Sequence, residues 1–198
     1  MKYGVMITRG QPFHIGHIKV IQQALNENDR VLIIIGSADK SGTERNPFDI
    51  KTRRRYFEKL KSYYHINCDR LQVLELPDWS KDTAIPYHSN VGSTNTDYET
   101  VAKEWGFYLY YNIVRKINGK IFTLYYNDDT EIVKAWFPEY IWARITLKST
   151  VRDDISSSKV RNAILTENYN YLKETVPYLN KQDIKECHKI LEEIKYEA

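Results

Sequence analysis

The sequence predicts an α/β protein built on a doubly wound parallel sheet, with helices covering both faces of the sheet. Two observations support this fold class. Strand-like and helix-like runs alternate along the chain, and residues 31–35 form an unbroken run of branched aliphatic side chains. Such a run is typical of a strand that is buried on both faces. Because β–α–β units connect with right-handed crossovers, the carboxyl ends of the strands meet at one edge, where ligands bind.

Each predicted element has its own signal. The first strand is a short apolar run that ends at Thr8, and Pro77 closes the third strand. The helix after the second strand places Tyr56, Leu60 and Tyr63 on one side. The predicted strands are 3–8, 31–35, 71–76, 120–126 and 141–147. The predicted helices are 18–25, 50–64, 97–116 and 157–165, followed by a helical tail to 195.

Composition and charge exclude several classes of protein. A chain of 198 residues is most simply one domain, and a net charge of only +3 argues against a nucleic-acid surface. Cys68 and Cys187 lack metal-ligand spacing, so we expect free thiols in a reducing compartment. We find no membrane-spanning run and no signal peptide, so we expect a cytoplasmic protein with no membrane or nucleic-acid partner. A homo-oligomer is compatible with the sequence.

The turn between the first strand and the first helix is the most informative segment, with the sequence R-G-Q-P-F-H-I-G-H at 9–17. Such a turn presents backbone N–H groups and the positive end of a helix dipole to an anion. Gly16 removes a side chain that would keep a phosphate away from the backbone. His14 and His17 can donate hydrogen bonds to phosphate oxygens without a permanent charge at neutral pH. The turn therefore predicts a phosphate-binding site.

Three ordered motifs resemble those of the nucleotidyltransferase superfamily. Residues 9–17 resemble its H-x-G-H signature, in the G-R-F-Q-P-F-H-x-G-H form of the adenylyltransferases that make NAD. Residues 36–48 resemble the G-S-A-x-x-S-x-T-x-x-N-P-F block of the archaeal-type nicotinamide-mononucleotide adenylyltransferases. Residues 155–161, I-S-S-S-K-V-R, resemble the late I-S-S-T-x-I-R motif. The chain departs from the family at Gly10, where the family usually has Phe, and at Tyr126, which replaces a small residue.

This resemblance implies a Rossmann-like nucleotidyltransferase fold and an enzyme that joins ATP and nicotinamide mononucleotide into NAD and pyrophosphate. Such an enzyme has to align the mononucleotide phosphate with the α-phosphorus of ATP and neutralise developing charge. By resemblance, His17 donates to the α-phosphate with His14 beside it, and Arg161 supplies a forked cation for the leaving pyrophosphate. Magnesium is expected, held mainly by ATP oxygens, and no side chain is assigned as a metal ligand.

Further residues are implied in substrate binding. Arg9 would face a substrate phosphate. Arg53 would contact the mononucleotide phosphate, although it stands in a run of three arginines that otherwise indicates a solvated face. The serines before the last motif helix, Ser156, Ser157 and Ser158, would grip the β- and γ-phosphates. Their alternative role is ordinary N-capping, and we expect capping in either case.

The pyridine end of the substrate is expected after the third strand. Asp78 would face the pyridine amide, and its alternative role is that of a turn residue after a proline. Related enzymes stack a tryptophan on the pyridine ring. Here Trp79 and Tyr87 flank the corresponding place, which Ile85 occupies. Asn127 ends the fourth strand at the same edge of the sheet.

The predicted organisation is a nucleotidyltransferase domain over 1–166, with an insertion at about 86–119, and a helical extension of the same domain over 167–198. The resemblance explains neither the insertion nor the extension. Two alternatives are a sister transferase that uses another phosphorylated acceptor and a nucleotide sensor without turnover. The 36–48 block argues against the first, and the intact His14, His17 and Arg161 argue against the second.

Overall fold

The protein is built on a five-stranded sheet in which every neighbouring pair of strands is parallel. The computed structural model describes residues 1–78, 96–127, 130–150 and 154–197. The strands are β1 (Tyr3–Thr8), β2 (Arg30–Ile35), β3 (Leu71–Glu75), β4 (Phe122–Tyr126) and β5 (Ile145–Ser149). They lie in the order β3-β2-β1-β4-β5. The predicted fold class is confirmed.

Within the described ranges the chain forms eight α-helices and a short 3-10 helix, Cys68–Arg70. The helices are α1 (Ile15–Glu27), α2 (Ile50–Tyr63), α3 (Thr96–Ile117), α4 (Thr130–Ala135), α5 (Glu139–Trp142), α6 (Ser157–Leu165), α7 (Tyr169–Thr175) and α8 (Lys181–Glu197). Side chains that accept backbone hydrogen bonds mark several starts. The carboxylate of Asp49 caps α2, and the hydroxyl of Ser156 caps α6.

The residues of β2 show how the sheet divides the core into two layers. Val31, Ile33 and Ile35 belong to one core cluster, whereas Leu32 and Ile34 belong to the other. All five side chains are fully buried. Because successive side chains of a strand point to opposite faces, a strand covered on both sides must be apolar throughout. Helices α1, α2, α6, α7 and α8 cover one face, and α3, α4 and α5 cover the other.

The start of the last strand was predicted wrongly. Residues 141–144 were expected in a strand, but Ile141 lies in α5 and β5 begins at Ile145. The backbone N–H of Ile141 donates to Pro138 O at 2.9 Å, and that of Arg144 donates to Ile141 O at 2.8 Å. These two turns reverse the chain just before the strand. A short apolar run has no period that separates helix from strand, which explains the error.

The helices after 166 complete the core rather than standing apart from it. Leu172, Val176 and Cys187 are buried in the cluster that contains α1 and α2. The thiol of Cys187 lies 3.1 Å from the Tyr56 hydroxyl, and burial raises the pKa of that thiol to about 12. Cys187 is a free cysteine, while the side chain of Cys68 lies outside the described part. No helix among the described residues is both long and apolar enough to cross a membrane.

Candidate active site

A cavity of about 560 Å³ opens at the carboxyl edge of the sheet. Residues that end or follow four of the strands line it: Thr8, Gly36, Leu76 and Asn127. Strand β4 lies beside β1, although the chain first runs outward through β2 and β3. The cavity therefore lies at the switch point of a doubly wound sheet, where ligands of such folds bind. Its volume is in the range of small-molecule sites.

The turn between β1 and α1 brings two imidazoles to this cavity. His14 is the N-cap residue of α1, and its carbonyl accepts from the backbone N–H of His17 at 2.9 Å. The ring centroids of the two histidines are 3.9 Å apart. Both rings line the cavity together with Gly16. The two histidines thus lie together at the start of a helix, where the dipole favours an anion, and their contact with phosphate stays a prediction.

Hydrogen bonds determine which ring nitrogen of His17 carries the proton. The backbone N–H of His14 donates to Nδ1 of His17 at 3.1 Å, so Nδ1 is an acceptor. The neutral ring must then carry its proton on Nε2, which lies 2.8 Å from the hydroxyl oxygen of Thr8. Burial, and next the proximity of His14, hold the pKa of His17 well below 6.5. His17 is therefore a neutral Nε2–H donor at neutral pH.

Arg53 supports the turn from below instead of facing the cavity. Its side chain is fully buried and is not among the cavity-lining residues. Its nitrogens donate to the carbonyls of Arg9 (3.1 Å), Gly36 (2.8 Å), Ser37 (2.9 Å), Lys40 (3.4 Å) and Asp49 (3.3 Å). Its expected contact with the mononucleotide phosphate stays a prediction. Arg53 fixes the two segments that border the cavity.

Three more donors hold carbonyl groups of the same turn, and they come from the end of the chain. Arg161 Nη1 donates to Gln11 O at 2.9 Å, Ser157 Oγ to Pro12 O at 3.1 Å, and Tyr178 Oη to Phe13 O at 2.8 Å. The Gln11 side chain also bonds both backbone groups of Phe48. These hydrogen bonds to its carbonyl groups fix the backbone of the turn that borders the cavity.

The structure thus separates the predicted site residues into two groups. Arg9, His14, Gly16, His17, Asp78 and Asn127 line the cavity, whereas Arg53, Arg161, Ser156, Ser157 and Ser158 do not. Ser156 caps α6 by accepting from the backbone N–H of Lys159, and Ser158 accepts from Arg161 Nη2 at 3.2 Å. In this structure the late motif reaches the cavity through Ile155 and otherwise contacts the turn, through Ser157 and Arg161. Its direct contact with the β- and γ-phosphates stays a prediction.

Asp78 reaches the cavity from the end of β3. Its carboxylate accepts from the Ser37 hydroxyl at 3.0 Å, and its backbone N–H donates to the carboxylate of Asp39 at 2.9 Å. Ser37 adopts a positive φ of 48° at this point, which brings the loop after β2 against the loop after β3. The Asp78 carboxylate is thereby fixed at the rim of the cavity, on the opposite side of β2 from the histidine turn.

An aromatic wall of the cavity was missed from the sequence. Trp105 of α3 and Trp136 after α4 line it, with ring centroids 5.0 Å apart in an edge-to-face arrangement. A Cβ on Gly106 would lie 1.5 Å from Trp136 O, so this glycine allows the close approach. The richness of the 97–116 stretch in aromatic residues was the available signal. Trp79, Ile85 and Tyr87, the positions expected near the pyridine ring, lie outside the described residues.

The residues that the structure describes include no group of three or more His, Cys, Asp or Glu side chains placed to hold a metal ion. The carboxylate that lines the cavity, Asp78, is engaged by Ser37. Mg²⁺ keeps several waters and needs few protein carboxylates, and the expectation that it is held mainly by ATP oxygens stays a prediction.

Comparison with protein families confirms the relationship suggested by the motifs. A model of a family described as cytidylyltransferase-like matches residues 8–163, which include the turn, most of the residues that line the cavity and most of α6. The chain belongs to the cytidylyltransferase-like family. The match begins at Thr8 and ends at Ala163, so α7 and α8 lie beyond it.

Several adenylyltransferases are similar to this chain over part of its length. Nicotinamide-nucleotide adenylyltransferases from Saccharolobus solfataricus, Thermoplasma acidophilum and Thermococcus kodakarensis are 32% identical over 78 residues, 33% over 100 and 35% over 78. These segments cover 39%, 45% and 39% of this chain. They span only 45%, 56% and 42% of the relatives' own lengths.

Solved structures share the fold. A bifunctional NMN adenylyltransferase/ADP ribose pyrophosphatase from Francisella tularensis, complexed with AMP and a manganese ion, is 16% identical with a TM-score of 0.64. The similarity covers 95% of this chain and 52% of that one. A putative nicotinate-nucleotide adenylyltransferase from Vibrio parahaemolyticus is 18% identical with a TM-score of 0.55, over 84% of this chain and 89% of that one. At these identities the similarity concerns the fold alone.

Proposed function

We propose that this protein is an adenylyltransferase that joins ATP and nicotinamide mononucleotide to give NAD and pyrophosphate. The observation that carries the proposal is the neutral Nε2–H of His17, presented to a cavity at the switch point of the sheet. The names of the archaeal relatives, which are nicotinamide-nucleotide adenylyltransferases, support the choice of acceptor.

The reaction needs alignment and charge stabilisation more than covalent chemistry. A phosphate oxygen of the mononucleotide attacks the α-phosphorus of ATP, and the bond from that phosphorus to the β-phosphate oxygen breaks, so that pyrophosphate leaves. Negative charge develops on the oxygens around the α-phosphorus. A fixed donor such as His17 Nε2–H stabilises that charge more in the transition state than in the ground state. His14 and Arg9 line the same part of the cavity and would act on neighbouring phosphate oxygens.

Charge on the phosphates requires cations as well. Magnesium, carried by the oxygens of ATP itself, would supply a divalent charge to the leaving pyrophosphate. Lys40 and Arg45 also line the cavity and add positive charge beside Thr43 and Asn46, in the motif block that resembles the archaeal enzymes. Arg161 holds the turn through Gln11 O and also donates to Ser158, so it would act on the pyrophosphate by fixing the turn that carries the histidines.

The pyridine ring would occupy the other end of the cavity. Asp78 offers a carboxylate that can accept a hydrogen bond from a carboxamide, and Trp105 and Trp136 offer an apolar aromatic wall. One end of the cavity is thus lined by phosphate donors and the other by an acceptor beside aromatic rings. We infer that the domain over 1–166 supplies these groups and that the extension over 167–198 supports them.

A pyrophosphate-release assay tests the proposal. The purified protein is given ATP, magnesium and one acceptor at a time: nicotinamide mononucleotide, its acid form, phosphopantetheine, or a polyol phosphate. We expect release that requires magnesium and a pyridine mononucleotide, with NAD or its acid analogue as the second product. The His17→Ala variant is the inactive control. Thr175→Val is the matched active control, since Thr175 is buried in α7, outside the cavity lining.

The other outcomes point to the other two functions. Release with phosphopantetheine or the polyol phosphate alone would indicate a sister transferase. Tight ATP binding without release from any acceptor would indicate a nucleotide sensor. Either result would overturn the proposed reaction while leaving the nucleotide site in place.

A further inference from the structure

Thr8 is a residue of the cavity that the family motif does not explain. The motif form quoted above has G-R-F where this chain has T-R-G, so a threonine replaces the first glycine and a glycine replaces the phenylalanine. Thr8 is the last residue of β1, half-buried, and it lines the cavity beside both histidines. Its hydroxyl therefore introduces a polar group where the motif has no side chain.

Thr8 Oγ1 accepts two hydrogen bonds. His17 Nε2 lies 2.8 Å away and carries the ring proton, because Nδ1 is occupied by the backbone N–H of His14. The backbone N–H of Gly10 donates to the same oxygen at 3.1 Å. A hydroxyl has two lone pairs and one hydrogen, so both lone pairs are occupied and the hydrogen is left to donate. Thr8 lines the cavity, where an anion would accept that hydrogen.

Gly10 makes this arrangement possible. Its φ of 62° lies in the left-handed region, and in this conformation its N–H bonds to the Thr8 oxygen. The space beside its Cα is filled by the ring of Phe13, whose Cε2 would lie 2.3 Å from a Cβ on residue 10. Thr8 thus stands where the motif has glycine, Gly10 stands where it has phenylalanine, and the two residues contact each other. The two departures from the family form one local structure.

We propose that Thr8 is a phosphate-binding residue of this chain, and that its hydroxyl donates to an oxygen of the same phosphate that His17 contacts. Before the nucleotide binds, the Thr8 oxygen holds Nε2–H of His17 at the cavity wall. When the nucleotide binds, His17 transfers its hydrogen bond to a phosphate oxygen, and Thr8 adds a second donor beside it. The expected effect of Thr8 on turnover rests on the proposed function. The expected effect of Thr8 on binding requires only that the ligand carries phosphates.

Three variants at this position test the proposal. Thr8→Val keeps the shape but removes the hydroxyl, Thr8→Ala removes the hydroxyl with less bulk, and Thr8→Ser keeps the hydroxyl. Binding of magnesium with α,β-methylene-ATP is measured by calorimetry, and adenosine serves as a ligand without phosphates. We expect Thr8→Val and Thr8→Ala to weaken the binding of the ATP analogue by roughly 10- to 100-fold, the scale of one hydrogen bond to a charged group. Thr8→Ser should stay within about threefold of the wild type, since it keeps that hydrogen bond.

Two controls separate a phosphate contact from a structural effect. Adenosine should bind all variants equally, because it has no phosphate to lose. Thr175→Val should bind both ligands like the wild type, although it also removes a buried hydroxyl, one that donates to Tyr171 O at 2.7 Å. Equal loss of adenosine and ATP-analogue binding would overturn the proposal. So would Thr8→Val and Thr8→Ala variants that bind the analogue normally, or a Thr8→Ser variant as weak as Thr8→Val.

Failure of the proposed reaction would give a different result. If the wild type releases no pyrophosphate with any acceptor, the calorimetric comparison still decides whether Thr8 contacts phosphate. If it does release pyrophosphate, kcat/KM for ATP should fall in Thr8→Val by the same 10- to 100-fold, to about the same degree as in Thr8→Ala.

Discussion

Replacing Gly10 with alanine would show how tightly the turn between β1 and α1 is packed. Gly10 has a φ of 62°, and an added Cβ would lie 2.3 Å from Cε2 and 2.7 Å from Cζ of Phe13. The Phe13 ring is fully buried, with ring centroids 4.9 Å from Phe57 and 5.5 Å from His17. Moving away from a new methyl group would therefore press this ring against its packed neighbours in the core.

The expected loss of stability has two parts. A left-handed φ destabilises a residue with a Cβ by about 1–2 kcal/mol. Forcing a methyl group into a packed core adds about 1–3 kcal/mol. The sum is about 3.5 kcal/mol at the centre of these ranges. For a chain of this size, where 1 kcal/mol shifts Tm by about 2–4 °C, Gly10→Ala should melt roughly 7–14 °C below the wild type.

Gly42 provides a matched control for the backbone part. Its φ is 68°, close to that of Gly10, but nothing lies within 4 Å of the position its Cβ would occupy. Gly42→Ala should therefore lose only about 1.5 kcal/mol, or roughly 3–6 °C. Thermal melting of both variants gives the difference that belongs to the Phe13 ring. In a Phe13→Leu background that difference should shrink, because the smaller side chain leaves room for the methyl group.

Equal shifts for the two alanine variants would refute this account of the turn. They would mean that the Phe13 ring moves at no cost, and that the exchange of glycine and phenylalanine in the motif has no packing consequence. A Gly10→Ala variant that melts early yet keeps full activity would show that displacing the ring leaves His17 in place.

Three further predictions concern the side chains around the cavity. His17→Ala should lower turnover by roughly 10²–10³-fold with little change in Tm, which is the usual scale for one lost transition-state donor. The pKa of His17 lies below 6.5 in the folded state, so the unfolded state binds more protons at acidic pH. The free energy of unfolding of the wild type should therefore fall as the pH drops below 6.5, and it should fall less in His17→Asn. Denaturant titrations of both proteins between pH 7 and pH 5 check this, and parallel curves would contradict it. Arg53→Lys should lower the free energy of unfolding by about 3–5 kcal/mol, because one ammonium group cannot replace the nitrogens that donate to five backbone carbonyls. The control Arg54→Lys, at the neighbouring surface position, should stay within about 0.5 kcal/mol of the wild type. A stable Arg53→Lys enzyme with only a raised KM would instead indicate a direct contact with the substrate. The wild type should prefer the amide over the acid mononucleotide by roughly one to two orders of magnitude in kcat/KM, since two carboxylates repel at Asp78, and Asp78→Asn should narrow that ratio; an unchanged ratio would leave Asp78 as a turn residue.

The sheet was predictable because burial on both faces leaves a direct mark on the sequence. The aliphatic run of β2 could be recognised without any knowledge of its neighbours, and so could the glycine and histidines of the first turn. The start of the last strand was not predictable, because the turn at 138–144, which begins at a proline, depends on only two hydrogen bonds. Local patterns therefore identified the elements whose environment is regular, and failed where a short apolar run changes direction.

The roles of the arginines needed tertiary information. Arg53 stands in a run of charged residues that is indistinguishable from a solvated face, and its burial follows from carbonyls contributed by residues up to 44 positions away. The sequence identified Thr8 only as the last residue of a strand, because its proposed role depends on its contacts with Nε2 of His17 and with the backbone N–H of Gly10. Contacts between distant parts of the chain decide both cases, and no local pattern contains them.

The hydrogen bond from Tyr178 to Phe13 has a consequence for the synthesis of the protein. It joins residues 165 positions apart, so the turn that presents both histidines is completed by a segment that the ribosome makes long after the turn itself. Strands β1 and β2 are local neighbours and can pair early, but the carbonyls of the turn acquire their donors from residues 157, 161 and 178 only afterwards. Completion of this turn therefore has to wait for residues that are synthesised well after its two histidines.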